Sequence, residues 1–430
     1  MLMSKEENPI YDIKISSVGP GLISGRDAVQ ELSGMDLAMK LHYLRTVYYF
    51  PRQAFEGLTI INIKETIFLW LNYAYIPNGR FRKSDSGRPY IKCNDCGVRL
   101  IEARCKMSLN EWLESSDDAA THKLVVPGQV LGPNLFYSPL VLLQLTKFVC
   151  GGTAVGVSWA HVLGDAFSAA TFMNLWGQAT RNKYPAQPLL MAHFKTQAQN
   201  SKSPIKDPLA VKRVGPVGDH WVTSNDTKME TYSFDVSWAD LARLQTKICV
   251  DKDYQQIPPF ESICAAVWQC VAKVKHETDV KMVTICKKDS KYSFEEVFTN
   301  KGQRVKVVKT NVSPKELSPM ELGLLIMNQV VDETNIIEEA IEFDNQLQDF
   351  LVYGANLTFV DLLDAPVYDL NIRGHKPIYI NCAIDNVGDE GVVLVFPSQK
   401  YHFNGVKVSI TFPETYIPNL KWMLKKEWSL

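Results

Sequence analysis

The sequence predicts an α/β protein with two domains. Segments typical of strands and of amphipathic helices occur on both sides of a proline-rich stretch, residues 185–217, that has no regular hydrophobic pattern. The chain has 430 residues, of which 46% are hydrophobic, so it can bury two cores. We therefore predict a first domain over 1–184, a crossover loop over 185–228 and a second domain over 229–430. A segment near 376–400 is a candidate for packing with the first domain.

The clearest local prediction is a β-hairpin near the end of the first domain. Residues 141–149 and 153–161 read as buried strands, and Gly151-Gly152 between them supplies the positive φ angles that a tight turn requires. The pattern places His161 at the end of the second strand.

Two helices are predicted in the first domain. Hydrophobic residues repeat at helical spacing over 166–178, and Asp165 can cap that helix. The same spacing over 35–49, after Ser33 as a possible cap, predicts a second helix. In the second domain, strands are predicted near 230–236 and over 357–360, 378–384, 391–396 and 405–412, and helices over 238–249, 260–275 and 316–344.

Composition excludes several kinds of partner and site. The formal net charge is −1, so nothing indicates nucleic-acid binding. Nine scattered cysteines indicate a reducing, cytosolic compartment rather than a disulfide framework. Cys93 and Cys96 form a CxxC, but no second ligand pair accompanies them, so we interpret both as structural and predict no metal site.

No transmembrane segment is predicted. The most apolar stretch, 139–163, is interrupted by Gln144, Lys147 and glycines, which favours buried strands over a membrane helix. Residues 1–9 lack the basic start and apolar run of a signal peptide.

The strongest candidate for chemistry is His161-Val162-Leu163-Gly164-Asp165. A histidine has an ordinary pKa of about 6.5, so it can accept a proton at neutral pH. A hydroxyl or amine that loses its proton to His161 could attack a thioester carbonyl. The residues alone leave a second interpretation open, in which His161 is a hydrogen-bonded core residue and Asp165 only caps a helix.

Several ordered blocks resemble the plant BAHD acyl-CoA-dependent acyltransferases over most of the chain. Besides the HxxxD of His161 and Asp165, they are Leu32-Ser33-Gly34-Met35-Asp36, Gly79-Arg80-Phe81-Arg82, Gly87-Arg88-Pro89-Tyr90-Ile91-Lys92-Cys93-Asn94, Leu143-Gln144-Leu145-Thr146-Lys147-Phe148-Val149-Cys150-Gly151-Gly152, and Phe260-Glu261 with Val267-Trp268.

The resemblance implies a two-domain, chloramphenicol-acetyltransferase-like fold of mixed sheets and helices, with a channel between the domains. His161 would lie in mid-channel and face both openings, with acyl-CoA entering from one side and the acceptor from the other. Asp165 would point away from the substrate and pair with an arginine of the second domain. A monomer is the family default, and no cofactor is implied beyond acyl-CoA as a substrate or ligand.

The chain departs from the family in its second domain. The DFGWG signature expected before Lys376-Pro377 is replaced by a degenerate second motif, which consists of Asn371, Ile372, Arg373, Gly374 and His375. Lys287 and Lys288 stand where the arginine partner of Asp165 is expected, and lysine cannot form the bidentate bond of a guanidinium. No YFGN segment is found between residues 291 and 313.

Other segments resemble the Eceriferum/Glossy clade of the same superfamily. They are Met35-Asp36-Leu37-Ala38-Met39-Lys40-Leu41-His42-Tyr43, Ser158-Trp159-Ala160-His161-Val162-Leu163-Gly164-Asp165, Tyr353-Gly354-Ala355-Asn356-Leu357-Thr358-Phe359-Val360 and Val387-Gly388-Asp389-Glu390-Gly391-Val392-Val393-Leu394-Val395-Phe396-Pro397. The resemblance implies an accessory protein of very-long-chain fatty acid elongation in cuticular wax biosynthesis. It would modulate a β-ketoacyl-CoA synthase at the cytosolic face of the endoplasmic reticulum and contact long-chain acyl-CoA.

Two alternatives remain. One is an acyl-CoA-dependent O- or N-acyltransferase with His161 as general base. The other is an acyl-CoA-binding module without turnover.

Overall fold

A computed structural model describes most of the chain with side chains. The described residues are 8–25, 28–114, 118–189, 207–249, 256–275, 277–289, 298–342, 348–400 and 403–430. Residues 190–206 of the predicted crossover lie outside these ranges. So do residues 290–297, which cover the start of the stretch searched for a YFGN segment.

Strands and helices are mixed along the described chain. The strands are β1 (Ile10–Val18), β2 (Val29–Gln30), β3 (Tyr43–Phe50), β4 (Arg80–Lys83), β5 (Pro89–Lys92), β6 (Val98–Cys105), β7 (Val141–Phe148), β8 (Thr153–Ala160), β9 (Lys212–Val214), β10 (Met229–Ser237), β11 (Met282–Lys288), β12 (Gln303–Lys309), β13 (Val331–Asp332), β14 (Asp349–Leu351), β15 (Leu357–Asp361), β16 (Tyr379–Asp385), β17 (Val392–Lys400) and β18 (Phe403–Pro413). The helices are α1 (Gly34–Ala38), α2 (Arg52–Phe55), α3 (Ile60–Trp70), α4 (Leu109–Glu114), α5 (Asp118–Val125), α6 (Ala166–Ala179), α7 (Trp238–Ile248), α8 (Pro259–Val274), α9 (Pro319–Asn328), α10 (Thr334–Glu342) and α11 (Ile417–Met423).

The first large sheet has the strand order β1-β6-β7-β8-β3-β16 and is antiparallel except between β6 and β7. Side chains of α3 and α6 pack in the core on one face, and those of α4 and α5 on the other. β16 comes from late in the chain and pairs with β3, from Tyr379 opposite Tyr49 to Asp385 opposite Tyr43. The edge of this sheet is therefore built by a strand from the second half of the sequence.

The second large sheet has the order β10-β18-β17-β15-β11-β12-β13, with parallel pairing among β17, β15 and β11. The long helix α8 is buried along almost its whole length and forms the centre of a separate core with this sheet. Two smaller sheets, β2-β5-β4 and β14-β9, complete the pairing among the described residues. Mixed sheets, each with its own helices, confirm the predicted α/β class.

The hairpin prediction is confirmed by β7 and β8, whose turn contains Gly151 at a φ of 88°. The apolar stretch 139–163, which was predicted to form buried strands rather than a membrane helix, contains these two strands. Among the described residues, no helix is both long enough and apolar enough to span a bilayer.

The predicted helix over 35–49 is wrong. Its start is right, because Ser33 and Asp36 form a capping box for α1, but α1 ends at Ala38 and β3 begins at Tyr43. β3 lies inside the first sheet and is buried on both faces, so its hydrophobic residues do not alternate. A helical spacing in such a continuous run carries no information about helix formation.

The predicted helix over 316–344 is also wrong as a single element. The structure has α9 and α10 instead, separated by the short strand β13, which pairs with β12. Residues 343–344 lie outside the described part of the chain. The helices predicted over 166–178, 238–249 and 260–275 are confirmed as α6, α7 and α8.

Candidate functional site

His161 begins a 3₁₀ turn, residues 161–163, directly after β8 ends at Ala160. Its backbone N–H donates to the carbonyl of His42, 3.0 Å away. The turn ends at Gly164, whose φ of 142° would strain any residue with a side chain. This geometry fixes the backbone of His161 and turns its imidazole inward, where the residue is only 1% exposed.

The imidazole of His161 contacts Tyr353 of the second half. Its Nε2 lies 2.9 Å from the Tyr353 hydroxyl, and the ring centroids are 5.3 Å apart. The same hydroxyl accepts from Nε2 of Gln303 at 2.8 Å. Both Tyr353 and Gln303 are buried. A hydroxyl has one proton, so with the Gln303 amide donating to it, Tyr353 donates that proton to Nε2 of a neutral His161, whose own proton then lies on Nδ1.

Burial favours the neutral imidazole. It lowers the pKa of His161 to about 4, although the nearby polar groups of its own backbone and of Asn300 act in the opposite direction. Among the described residues, Nδ1 of His161 has no hydrogen-bond partner. A base with so low a pKa is weak at neutral pH, and its one hydrogen-bonded nitrogen faces a protein hydroxyl.

His42 holds the backbone that presents Tyr353. Its Nδ1 lies 3.0 Å from the carbonyl of Asn386, and its Nε2 accepts from the backbone N–H groups of Val352 and Tyr353, both at 3.2 Å. These partners assign the proton to Nδ1. Burial, together with the neighbouring His161, lowers the pKa of His42 to about 3. His42 is therefore a neutral link between the two halves of the fold.

Asn300 supports the His161 turn from the other side. Its Nδ2 donates to the carbonyl of His161 at 2.8 Å and to Oδ1 of Asp36 at 3.1 Å. Its backbone N–H also donates to Asp36, at 2.9 Å. The carboxylate of Asp36 thus caps α1 and fixes Asn300, which in turn fixes the turn of HxxxD.

Asp165 acts as a helix cap. Its Oδ1 accepts from the backbone N–H of Ser168 at 2.9 Å and from the Ser168 hydroxyl at 3.0 Å, at the start of α6. Burial raises its pKa, and the charge of Lys288 partly lowers it. Lys288 lies over the ring of Phe167, 4.9 Å from its centroid.

The two lysines at the place of the missing arginine have different surroundings. Lys287 pairs with Glu261 at 2.6 Å and with Asp361 at 3.1 Å. Its charge is therefore committed to two carboxylates of the second half rather than to Asp165. The ion pair that the resemblance implied for HxxxD is replaced by a helix cap and a more distant lysine.

A cavity lies between the two large sheets, next to Tyr353. Its volume is only about 30 Å³, which is room for about one or two water molecules. The lining is mostly apolar and comes from both sheets and α6, and it includes Leu44, Phe167, Val360 and Leu394. Gln303, Tyr353 and Asp165 also line it, but among the described residues His161 does not.

The implied position of His161, in mid-channel and facing both openings, therefore differs from the structure. Tyr353 fills the space between the imidazole and the cavity, and its hydroxyl occupies Nε2. The catalytic roles of His161 and Asp165 stay predictions.

The degenerate second motif forms a tight turn. The contacts of this turn are with α2 and the end of α6, not with the HxxxD turn. Ile372 and His375 exchange backbone hydrogen bonds, and Arg373 and Gly374 between them both have positive φ, as a type I′ turn requires. The Asn371 side chain accepts from the backbone N–H of Gly374 at 2.6 Å. The turn packs on the end of α6 and on α2, through Arg373, which donates to the carbonyl of Glu56 at 2.8 Å.

Comparison with known proteins decides the family. The model of the transferase family matches residues 20–288. The chain is 36% identical to protein ECERIFERUM 26 of Arabidopsis thaliana over 98% of this chain and 96% of that protein, and 36% identical to protein ECERIFERUM 2 of the same plant over 97% and 98%. The chain belongs to the BAHD transferase family, within its Eceriferum clade. The predicted resemblance is thereby confirmed.

Solved structures of BAHD fold agree with this assignment. Vinorine synthase matches with a TM-score of 0.69 at 16% identity, over 95% of this chain and 96% of that one. TRI101 of F. graminearum, solved with coenzyme A and deoxynivalenol, matches with a TM-score of 0.71 at 13% identity, over 94% and 98%. At this identity the likeness concerns the fold alone, and it confirms the predicted two-domain BAHD architecture.

Sequence reasoning missed the residues that surround His161. Tyr353 and His42 lie inside segments that carry the Eceriferum resemblance, but nothing in a sequence showed that they meet. Asn300 had a signal in the sequence, because Phe298-Thr299-Asn300 keeps the phenylalanine and asparagine of YFGN at their spacing.

The two cysteines of the CxxC differ in exposure. Cys93 is buried and Cys96 is exposed, and neither is in a disulfide. In the part of the chain that the structure describes, no cluster of three or more acidic, cysteine or histidine side chains could hold a metal ion.

Proposed function

We propose that this protein is an accessory factor of very-long-chain fatty acid elongation in cuticular wax formation, and that it modulates a β-ketoacyl-CoA synthase. Full-length similarity to ECERIFERUM 26 and ECERIFERUM 2 supports this role. We further propose that it contacts long-chain acyl-CoA and reaches the cytosolic face of the endoplasmic reticulum through that synthase.

One observation carries the non-catalytic role. The Tyr353 hydroxyl is bonded to Nε2 of His161, the atom that would take the proton from an acceptor. A general base must come within hydrogen-bond reach of the proton that it abstracts, and this imidazole is buried and already engaged. Burial also lowers its pKa to about 4.

The residues that stand where the family's catalytic histidine is supported also make contacts that favour a non-catalytic role. Asp165 caps α6 instead of pairing with an arginine, and Lys287 is held by Glu261 and Asp361. Such contacts keep the fold of the HxxxD turn. They do not include the pairing of Asp165 with an arginine that the family resemblance implies.

The second candidate function is acyl transfer from acyl-CoA to an alcohol or amine. The mostly apolar lining of the cavity between the sheets favours it, because an acyl chain would contact such a surface once the cavity widened from its present volume of about 30 Å³. Turnover would require Tyr353 to leave Nε2 of His161.

A complementation experiment separates the two. The H161A variant is expressed with a cognate synthase in yeast that carries a reconstituted plant elongase, and acyl chain lengths are measured. We expect H161A to extend chains as the wild type does, at equal protein level. The control is H220A, which removes an exposed histidine. Loss of extension in H161A alone would reject the accessory role in favour of catalysis.

The location is tested separately. The chain should sediment with microsomes when the synthase is co-expressed and stay in the supernatant without it. Equal microsomal binding in both cases would contradict recruitment by the synthase.

A further inference from the structure

A second cavity lies between α5 and β10, on the face of the first large sheet that carries α5. Its volume is about 290 Å³, which is room for about ten water molecules and close to the smallest ligand pockets. Its floor belongs to β3 and β16, and its walls belong to β10 and to the end of α5 with the loop after it. Cys382 and Ala383 of β16 also line the smaller cavity beside Tyr353, so this strand separates the two. We name the larger one the α5–β10 cavity.

The floor of the α5–β10 cavity carries a buried amide. Asn381 lies in β16 opposite Val47 of β3 and is only 6% exposed. Among the described residues, its Oδ1 has no hydrogen-bond partner. Leaving such a buried group unpaired costs free energy, and rotation of the amide about χ2 can turn either end toward the cavity. A ligand in the cavity would therefore supply the partner that the protein does not.

The walls add further polar groups whose positions are already fixed. On β10, the Thr231 and Thr411 hydroxyls lie 2.9 Å apart, and the Ser233 hydroxyl donates to Ser409 at 3.0 Å. Each hydroxyl has one donor and two acceptor sites, so these pairs leave capacity for a ligand. The imidazole of His122, which is 6% exposed, lines the opposite wall. Groups that donate and groups that accept thus face the cavity from three sides.

Arg45 fixes the α5 wall and leaves the cavity with little charge. Its Nε donates to Asp385 at 2.7 Å, and its terminal nitrogens donate to the Ser158 hydroxyl and to the backbone carbonyls of residues 127–129. These bonds occupy the five donors of the guanidinium, and Asp385 offsets its charge. Lys123 also lines the cavity, but it is exposed, so water and salt screen its charge. The described lining therefore combines a fixed wall with little net charge.

We propose that the α5–β10 cavity binds a neutral, polyhydroxylated molecule about the size of a monosaccharide, and that Asn381 orients it. An anion would meet the carboxylate of Asp385, and a cation would meet Arg45. An apolar molecule would leave the amide and the hydroxyls without partners. A polyol offers donors and acceptors together, so it satisfies both. The inference goes beyond the proposed accessory role and does not depend on it.

Saturation-transfer NMR on the purified full chain tests the ligand class. The probes are myo-inositol and D-glucose, with acetate and tetramethylammonium as charged comparisons. We expect transfer to at least one of the two polyols, with a Kd on the order of 1 mM, and none to the charged molecules. Absence of transfer to both polyols, or tighter binding of a charged molecule at this site, would overturn the proposal.

Variants locate the binding. N381L replaces the unpaired amide by an apolar group of similar shape, so we expect it to fold and to bind the polyol about 10-fold more weakly. T231V, which removes one wall hydroxyl, should also weaken binding. N328L changes an exposed asparagine of α9 and serves as the control. Unchanged affinity in folded N381L and T231V would overturn the proposal.

A crystal soak of the wild type covers the case in which the variants do not fold. After soaking with the polyol that binds in solution, we expect electron density for it in the α5–β10 cavity, within hydrogen-bond distance of the Asn381 amide. Density only elsewhere on the molecule would overturn the proposal. None of these outcomes depends on the elongase experiment, so either proposal can fail alone.

Discussion

The Tyr353 hydroxyl lies 2.9 Å from Nε2 of His161, although 192 residues separate them in sequence. This bond joins a loop of the second half to the HxxxD turn of the first. It accounts both for the burial of the imidazole and for the separation of that imidazole from the neighbouring cavity.

Removing only the hydroxyl of Tyr353 should destabilise the protein. In Y353F the ring stays, but Nε2 of His161 and the amide of Gln303 lose a buried partner, which costs about 1–3 kcal/mol. Urea denaturation should show the loss as a lower midpoint. Y137F is the matched control, because Tyr137 is 79% exposed and should behave as wild type. Equal midpoints for Y353F and wild type would mean that the bond contributes nothing.

We expect the Asn300 side chain to contribute measurably to the stability of the fold, although it is short. N300A removes the donor to the His161 carbonyl and to Asp36, both buried, and we expect a loss of about 1–3 kcal/mol in the free energy of unfolding. N328A, at the exposed end of α9, serves as control. A loss no larger than that of the control would show that Asp36 and the turn do not depend on Asn300.

Asp165 should tolerate asparagine but not alanine. D165A removes the acceptor for Ser168 and should cost about 1 kcal/mol, as loss of a helix cap does. D165N keeps an acceptor and loses only the charge, whose burial already raises the pKa of Asp165, so its stability should stay close to wild type. If D165N were as unstable as D165A, an ion pair rather than a cap would be the main contribution of this residue.

Acid should weaken the fold through His42. An unfolded histidine has a pKa of about 6.5, and burial lowers that of His42 to about 3. Below pH 6.5 the unfolded chain binds a proton that the folded chain does not. The free energy of unfolding therefore falls, by up to about 1.4 kcal/mol per pH unit, as pH drops from about 6.5 toward 3.

The matched measurement compares the pH dependence of wild type and H42Q. Glutamine does not titrate, so the difference in urea midpoint between the two should shrink steadily between pH 7.5 and pH 5. H220Q should follow the wild type across this range, since His220 is exposed. Parallel curves for wild type and H42Q would show that His42 is not a buried neutral histidine.

The sequence by itself determined the features that depend on neighbours along the chain. The β7–β8 hairpin follows from two apolar runs around Gly151, the cap of α6 from Asp165, and the family from ordered blocks with intact spacing. Each of these rests on local backbone chemistry or on motifs within a short segment, so a linear pattern was enough to find it.

Only the tertiary structure decided what lies beside those features. β3 was mistaken for helix because a strand buried on both faces shows no alternation, and its position between β8 and β16 is set by pairing with distant residues. Tyr353 and Asn300 reach His161 because the second half of the chain packs against the first. Hydrogen bonds between groups so far apart in sequence leave no periodic signal, since their geometry exists only after both cores have formed.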